Sequence, residues 1–321
     1  MKPLRFGVFP EFSKESLPVE EWMQVAQQIE QLGYSSILQQ DHFDLTAYDP
    51  IAILASAASV TKTVKIGSFV FSVDYRHPVI LAKAAATIHL LSKGRFEFGI
   101  GAGYQSYDYD MAGIPFDPAK KRVEKLEEAL FIIKSMWTEE KTSYMGKHYR
   151  VKEIEKAGEL QDGNYPKIML GACGKKMLRL ASEYADIVGI IPRWSGSWGK
   201  AIQLHTLDRI KSKIHRVKSL AEDLGRNPDN IEFQMFIPFN EITKDSEQRL
   251  TRIEGIIKHF EASSESIENS EYVMIGSSNY IRERLSKLYK ETGANYFVLN
   301  IRNDQNEEYA RSIIKPLTKR N

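Results

Sequence analysis

The chain has 321 residues, of which 42% are hydrophobic and 27% charged, and its formal charge is +2. This near-neutral balance gives no indication of a nucleic-acid or membrane-surface partner, and the single cysteine, Cys173, excludes an internal disulfide and a cysteine-rich zinc site. No apolar run approaches the roughly 18 residues of a membrane helix, and the N-terminus lacks a signal-peptide pattern, so we expect a cytoplasmic protein.

Strand and helix patterns alternate along the chain. Short apolar runs predict eight strands, at residues 6–9, 36–38, 64–70, 96–100, 167–170, 187–191, 231–236 and 296–299. Apolar residues spaced by three and four predict helices that include residues 79–91, 123–137, 176–184, 201–224, 279–292 and 307–319. Residues 104–110 are predicted to form a loop.

This alternation predicts an α/β fold, a single (β/α)8 TIM barrel formed by residues 1–321 as one domain. Insertions at residues 138–166, with a hairpin, and at residues 240–272 follow the fourth and seventh strands. The alternative is an open doubly wound sheet, which usually has fewer strands. In a barrel the chemistry lies at the C-terminal ends of the strands, so the residues just after each strand are the site candidates.

Asp41 and His42 follow the second predicted strand. A histidine at this position can move a proton near neutral pH or donate a hydrogen bond to a developing anion. The alternative is a surface histidine, with Asp41 as a helix cap. The histidines show no metal-ligand spacing at one strand end, so no metal site is predicted.

Two glycine-rich segments also follow strands. Gly99, Gly101 and Gly103 lie within and just after the fourth strand, where no helix is predicted to open, and we expect Gly99 and Gly101 to relieve crowding in the barrel. Residues 171–176 open a helix and carry lysines, which suits a phosphate site but also an ordinary turn.

Five aromatic residues lie in predicted loops that should share the barrel mouth, where they would suit a flat, ring-containing ligand. They are Tyr104, Tyr107, Tyr109, Trp194 and Trp198. The long loops at residues 138–166 and 192–200 are candidate lids over such a ligand.

Short motifs occur in a fixed order along nearly the whole chain. They lie at residues 32–34, 41–42, 76–78, 92–96, 99–103, 112–116, 122–128, 171–174, 185–186 and 275–277. In this order they resemble the bacterial luciferase-like monooxygenase family, a group of flavin- and deazaflavin-dependent (β/α)8 barrels. The segment from residue 76 to 116 is most similar to a branch usually labelled as deazaflavin-dependent oxidoreductases.

The resemblance implies a cofactor ring at the barrel mouth, with its phosphate held by the turn after the fifth strand. That turn corresponds to Gly171, Ala172, Cys173, Gly174 and Lys175.

The resemblance also implies a non-proline cis peptide after the third strand, at Phe69 and Val70, which supports the ring. Gly103, Tyr104 and Asp41 are further expected cofactor contacts.

For the chemistry, His42 matches the family's acid–base histidine. Asp108 stands where relatives often have a glutamate, and it is the second catalytic candidate.

The function implied first is a monooxygenase that uses reduced FMN and molecular oxygen on a small organic substrate. No NAD(P)H motif is visible, so a separate flavin reductase is an expected partner. The alternative is hydride transfer with the deazaflavin coenzyme F(420), and a reading from another class is a non-catalytic flavin-binding protein. The family commonly pairs through its second and third helices, which implies a homodimer.

Overall fold

The computed structural model describes residues 2–8, 10, 17–43, 48–160, 163–192, 194 and 196–319. The strands are β1 Arg5–Val8, β2 Ser36–Gln39, β3 Lys65–Ser68, β4 Phe71–Ser72, β5 Phe96–Gly101, β6 Lys141–Met145, β7 Arg150–Glu155, β8 Lys167–Ala172, β9 Ile187–Ile190, β10 Glu232–Ile237, β11 Phe239–Ile242, β12 Val273–Gly276 and β13 Tyr296–Leu299. Phe9, at the end of the first predicted strand, lies outside the described residues.

The helices alternate with these strands. They are α1 Trp22–Leu32, α2 Pro50–Val60, α3 Pro78–Leu91, α4 Ser106–Ala112, α5 Ala119–Thr138, α6 Lys175–Tyr184, α7 Trp198–Leu204, α8 Leu207–Asp223, α9 Ser246–Phe260, α10 Ser264–Asn269, α11 Ser278–Thr292, α12 Asn306–Tyr309 and α13 Lys315–Thr318. Among the described helices, none combines the length and apolar composition that crossing a membrane requires.

Residues 12–30 and 36–170 form one compact unit. In it, β2, β3, β5 and β8 pair in parallel, and β4 adds to β5. The core of this unit includes Phe98, whose ring centroid lies 5.3 Å from that of Trp137 on α5. The buried Trp137 indole donates a hydrogen bond of 3.0 Å to the carbonyl of Ala82, which ties α5 to α3.

Residues 1–11, 31–35 and 171–321 form the second unit. In it, β1, β13, β10 and β9 pair in parallel, while β11 and β12 form a separate parallel pair. Phe6 and Phe297 stack in its core with ring centroids 6.0 Å apart. Alternating buried strands and amphipathic helices are the pattern that parallel sheets require.

The hydrogen-bonded strand order is β3-β2-β1-β13-β10-β9-β8-β5-β4, and β3 also pairs with β5. Eight parallel strands paired in this closed order define the (β/α)8 TIM barrel, so the predicted fold class is confirmed. The hairpin predicted within residues 138–166 is present as the antiparallel pair β6–β7.

Two predicted elements differ from the structure. The helix predicted at residues 201–224 is two helices, α7 and α8, because His205 leaves the helical path and packs its buried ring 4.0 Å from the Tyr272 ring centroid. The predicted loop at residues 104–110 contains α4, which buries Asp108 and Tyr109 and ends at Gly113 with a φ of 66°. Both differences arise because side chains are buried against residues that are distant in the chain. The local spacing of apolar residues does not predict such contacts.

Candidate active site

His42 and Asp108 form the centre of the candidate site. Nδ1 of His42 lies 2.6 Å from Oδ2 of Asp108, although 66 residues separate them in the chain. The Asp108 side chain is fully buried, whereas 17% of the His42 side chain is exposed. The structure therefore brings together the two residues predicted to be catalytic, on the turn after β2 and on α4.

Two further contacts fix the Asp108 carboxylate. Oδ1 of Asp108 accepts a 3.1 Å bond from the backbone N–H of Phe43, and Oδ2 lies 3.4 Å from the Tyr75 hydroxyl. Burial, together with the nearby Asp108 charge, raises the pKa of Tyr75 well above its usual range, so its phenol stays protonated as a donor. The carboxylate thus engages Nδ1 of His42 and leaves Nε2 outside this contact.

Tyr104 lies on the open side of His42. Its hydroxyl is 3.5 Å from Nε2 of His42, and the two rings meet edge to face with centroids 5.9 Å apart. Tyr104 is 47% exposed. Tyr104, a predicted cofactor contact, therefore lies next to Nε2 of His42.

Asp41 has a different set of partners from His42. Both of its carboxylate oxygens accept from Nη1 of Arg76, at 2.9 and 2.8 Å, and Oδ2 also accepts from the backbone N–H of Ser72. Burial raises the pKa of Asp41, and the Arg76 charge opposes this shift. Asp41 therefore joins the segment after β2 to β4 and to Arg76, and the N-cap of α2 is Asp49 instead.

The peptide bond between Phe69 and Val70 is cis, at the position that the family resemblance implied. Both side chains are partly exposed, although the strand residues on either side, Ser68 and Phe71, are buried. A Cβ at Gly99 would lie 2.0 Å from the carbonyl oxygen of Ser68 and 2.8 Å from Val70. Gly99 thus makes room for the neighbouring strand, as predicted from the sequence.

Arg122, on α5, fixes the end of the glycine segment. Its guanidinium donates to the carbonyls of Ala102 and Gly103, at 3.1 and 3.4 Å, and lies 4.0 Å from the ring centroid of Phe116. Gly103 has a φ of 70°, and a Cβ there would lie 1.9 Å from the Tyr109 hydroxyl. Gly103 is therefore required by the turn itself, and its predicted contact with a cofactor remains a prediction.

A buried polar network continues behind this turn. Tyr109 donates a 3.0 Å bond to Asp74, whose other oxygen lies 2.8 Å from the ammonium of Lys125. Burial lowers the pKa of Lys125, but the hydrogen bonds that its ammonium donates to Asp117 and Asp74 outweigh this effect and raise the pKa to about 12. Burial raises the pKa of Tyr109 to about 12. This network positions α4 and leaves its groups fully engaged.

The predicted phosphate turn lies in the second unit. Ala172 is fully buried at the end of β8, and a Cβ at Gly171 would lie 2.9 Å from Ile191. Gly174 is the N-cap of α6, no side chain caps that helix, and a Cβ at Gly174 would meet nothing within 4 Å. Lys175 follows as the first helical residue, and Cys173 is partly exposed.

Sequence reasoning missed the residues that hold these candidates in place. Arg76 belongs to a recognised motif, yet its pairing with Asp41 is visible only in the structure. Arg122 also begins a recognised motif, but its contact with the glycine turn was not predicted, and Tyr75 gave no signal of its contact with Asp108. Among the described residues, no group of three histidine, cysteine, aspartate or glutamate side chains is placed to hold a metal ion.

A (β/α)8 barrel with a histidine held by a buried carboxylate at a strand end is a scaffold for proton transfer. A family model described as luciferase-like monooxygenase matches residues 4–272. The chain therefore belongs to the luciferase-like monooxygenase family, a family of oxidoreductases, as the resemblance indicated.

Known relatives and structures give a finer comparison. An F420-dependent glucose-6-phosphate dehydrogenase from Microbacterium testaceum is 30% identical over 191 residues, which cover 57% of this chain and 55% of the relative. The chain spans 39% to 66% of the length of four curated relatives of this kind.

Two solved structures share the fold over nearly the whole chain. An F420-dependent secondary alcohol dehydrogenase, solved with an F420-acetone adduct, has a TM-score of 0.78 at 17% identity and covers 98% of this chain and 99% of its own. A monooxygenase from Streptomyces bottropensis has a TM-score of 0.78 at 16% identity with the same coverage of both chains.

Proposed function

We propose that this protein is an oxidoreductase that transfers hydride between a hydroxyl or carbonyl substrate and a deazaflavin coenzyme. The observation that carries the proposal is the contact between the buried carboxylate of Asp108 and Nδ1 of His42, which leaves Nε2 on the accessible side. The curated relatives that depend on F420 support the deazaflavin over the FMN that the sequence favoured.

The residues present fit a flat cofactor ring in the first unit. Phe69 and Val70 give partly exposed apolar side chains in an otherwise buried strand segment. The amide oxygen of Gln39 is buried without a hydrogen-bond partner among the described residues, and an N–H group of a ligand would satisfy it. These features match a ring that is apolar on its face and polar at its edge.

The second unit carries a turn that suits a phosphate group. Gly174 leaves the start of α6 open, and Lys175 and Lys176 bring positive charge to its first turn. Free space at the positive end of a helix favours an anion. We therefore assign the phosphate to this turn, as the resemblance implied.

The chemistry divides between the coenzyme and the protein. When bound, the deazaflavin supplies an acceptor for the hydride that leaves the carbinol carbon of an alcohol. Nε2 of His42 takes the hydroxyl proton of the same alcohol, so that the substrate becomes a carbonyl compound. Asp108 keeps the ring orientation fixed and stabilises the protonated ring during this transfer.

Replacement of His42 tests this function. His42→Ala should lower kcat by roughly two to four orders of magnitude, because general acid–base catalysis contributes about that much. The reaction is followed by the absorbance of the deazaflavin with a panel of alcohols. Unchanged turnover in this variant would remove His42 from the mechanism.

The second candidate function is the monooxygenase that uses reduced FMN, molecular oxygen and a partner flavin reductase. The description of the matching family model and the structural likeness to a monooxygenase favour it. Titration of the purified protein with FMN and with the deazaflavin separates the two proposals, since tighter binding of FMN would contradict ours. A protein that binds either cofactor and turns over no substrate would instead be a flavin-binding protein.

A further inference from the structure

Two tyrosine hydroxyls lie at the two ends of the His42–Asp108 pair. The hydroxyl of Tyr75 lies 3.4 Å from Oδ2 of Asp108, and that of Tyr104 lies 3.5 Å from Nε2 of His42. Oδ2 of Asp108 also lies 2.6 Å from Nδ1 of the histidine, so the four side chains form one polar chain. Asp108 and His42 act in the proposed reaction, which leaves the Tyr104 hydroxyl without a role.

The Asp108 carboxylate fixes the direction of the hydrogen bonds in this chain. A carboxylate only accepts, so Nδ1 of His42 carries the proton that is donated to Oδ2. In a neutral ring Nε2 then has a lone pair and accepts a hydrogen bond. The hydroxyl of Tyr104 is therefore the donor on this side of the ring.

The distance between Nε2 of His42 and the Tyr104 hydroxyl suits a shared ligand atom. At 3.5 Å the two atoms are farther apart than those of a strong hydrogen bond, about 2.7–3.0 Å. One ligand oxygen can lie about 2.8 Å from both, because these three distances close a triangle. Both side chains reach solvent, since 17% of the His42 side chain and 47% of Tyr104 are exposed.

The Tyr104 hydroxyl is held in place before a ligand binds. Its ring meets the His42 ring edge to face, at an interplanar angle of 85°. The preceding residue, Gly103, has a φ of 70°, and its carbonyl accepts from Arg122. Tyr104 also lies just before α4, the helix that carries Asp108. The same short segment therefore positions the hydrogen-bond donor and the carboxylate that orients the base.

We propose that Tyr104 is a further catalytic residue, whose hydroxyl donates a hydrogen bond to the substrate oxygen when Nε2 of His42 takes the proton of that oxygen. This inference rests on the proposed function and adds a residue to the same site. The carbinol C–H bond breaks, and its electron pair leaves with the hydride to the deazaflavin. The O–H proton passes to Nε2, and the electron pair of that bond completes the C=O bond. Tyr104 keeps its own proton and stabilises the negative charge that develops on the oxygen.

Tyr104→Phe tests this role in turnover, because it removes the hydroxyl and keeps the ring that packs against His42. We expect kcat to fall by about ten- to a hundredfold with the alcohol that the unchanged protein oxidises fastest. Tyr289→Phe is the matched control. It removes a hydroxyl that donates a 2.9 Å bond to the Lys2 carbonyl, and it should leave kcat unchanged. Equal effects of the two substitutions would overturn the role of Tyr104.

Nuclear magnetic resonance of the imidazole nitrogens tests the two contacts without coenzyme and without turnover. The probes are trifluoroethanol, whose hydroxyl donates and accepts, and pyrrole, whose N–H group only donates. Both should shift the Nε2 resonance of His42 in the unchanged protein. In Tyr104→Phe the affinity for trifluoroethanol should fall by about three- to tenfold, whereas the affinity for pyrrole should stay the same.

Three outcomes of this titration would overturn the proposal. Trifluoroethanol that leaves the Nε2 resonance of the unchanged protein in place would show that the ligand oxygen does not bind there. Equal losses of affinity for the two probes in Tyr104→Phe would show that Tyr104 only shapes the site. Tighter binding of trifluoroethanol in this variant would show that the hydroxyl blocks Nε2.

Turnover and titration together distinguish this inference from the proposed function. If the unchanged protein oxidises no alcohol, but Tyr104→Phe weakens trifluoroethanol binding alone, the proposed function is contradicted and the contact of Tyr104 with the ligand oxygen is supported. If turnover requires His42 and is unchanged in Tyr104→Phe, the proposed function is supported and the role of Tyr104 is overturned.

Discussion

The carboxylate of Asp108 contacts two consecutive residues after β2. Its Oδ2 lies 2.6 Å from Nδ1 of the His42 ring, and its Oδ1 accepts a hydrogen bond from the backbone N–H of Phe43. A fully buried carboxylate with two such contacts has little freedom to move. The His42 ring is therefore oriented before any substrate binds, which is the condition for efficient proton transfer.

Asp108→Asn tests the orienting role. The amide keeps the shape of the side chain but removes its charge, so we expect kcat to fall by about ten- to a thousandfold. KM should change by less than about threefold, because the fully buried Asp108 side chain is expected to act through the His42 ring. A rise in KM with kcat unchanged would contradict this division of roles.

Gly99→Ala tests the close packing of β5 against residues 68–70. The new Cβ would lie 2.0 Å from the Ser68 carbonyl oxygen, so we expect a loss of about 3 kcal/mol or more in the free energy of unfolding, measured by denaturant titration.

Gly255→Ala is the matched control for this change. Gly255 lies in α9, where a Cβ would meet nothing within 4 Å, so alanine should stabilise the protein by about 0.5–1 kcal/mol. Similar effects of the two substitutions would contradict the steric explanation.

The strands could be predicted from the sequence because parallel strands that are buried on both faces consist of short, continuous runs of apolar residues. His42 and Asp108 were both predicted from the sequence as catalytic candidates, but their contact was not. His42 follows a strand and is visible as a candidate, whereas the contact with Asp108 depends on how α4 docks 66 residues later in the chain. The local sequence does not predict how α4 packs. Its buried residues, Asp108 and Tyr109, are adjacent and do not follow the three- and four-residue apolar spacing of an amphipathic helix.

The same limit explains the break between α7 and α8. The apolar spacing continues through the break, but the buried contact of His205 with Tyr272 redirects the backbone. Burial lowers the pKa of His205 to about 3, so this ring stays neutral in its apolar environment. A residue whose role is set by a contact 67 positions away cannot be assigned from its neighbours in the chain.

Arg76→Met should destabilise the protein by about 3–5 kcal/mol, because it leaves the Asp41 carboxylate buried without its cation. Thermal unfolding measures the effect. Asp49→Asn removes the exposed partner of the same arginine but keeps the cap of α2, so it should cost less than about 0.5 kcal/mol. If Arg76→Met and Asp49→Asn lowered the free energy of unfolding equally, Arg76 would stabilise the protein through Asp49 and not through Asp41.

The hydrogen bonds of Glu30 lead us to expect that the free energy of unfolding depends on pH. Its carboxylate accepts from the backbone N–H groups of Lys62, Thr63 and Val64. Burial raises the pKa of Glu30, but these bonds outweigh it and lower this pKa to about 2, below the value of 4.5 for an unperturbed glutamate. The stabilisation is therefore complete above about pH 4.5 and is lost as the pH falls toward 2.

Glu30→Gln should accordingly lower the free energy of unfolding by about 1 kcal/mol at neutral pH, a value reduced for solvent screening. The difference between this variant and the unchanged protein should shrink as the pH falls from 4.5 toward 2, in a series of denaturant titrations. A difference that does not depend on pH would show that the charge of Glu30 contributes nothing.

We further propose a homodimer that pairs through α2 and α3. The small-residue surface of α2 includes the exposed Ala52 and the partly exposed Ala55, whereas Ala58 is buried within its own unit. On α3, Ile80 and Leu91 are 58% and 50% exposed, and apolar side chains of this size gain from being covered.

Light scattering at micromolar concentration should therefore give twice the chain mass of 36.7 kDa. Ile80→Lys should shift the population toward monomer because it places a charge in the proposed contact, whereas Leu250→Lys on α9, 55% exposed, should not. A monomeric mass for the unchanged protein would refute the proposal.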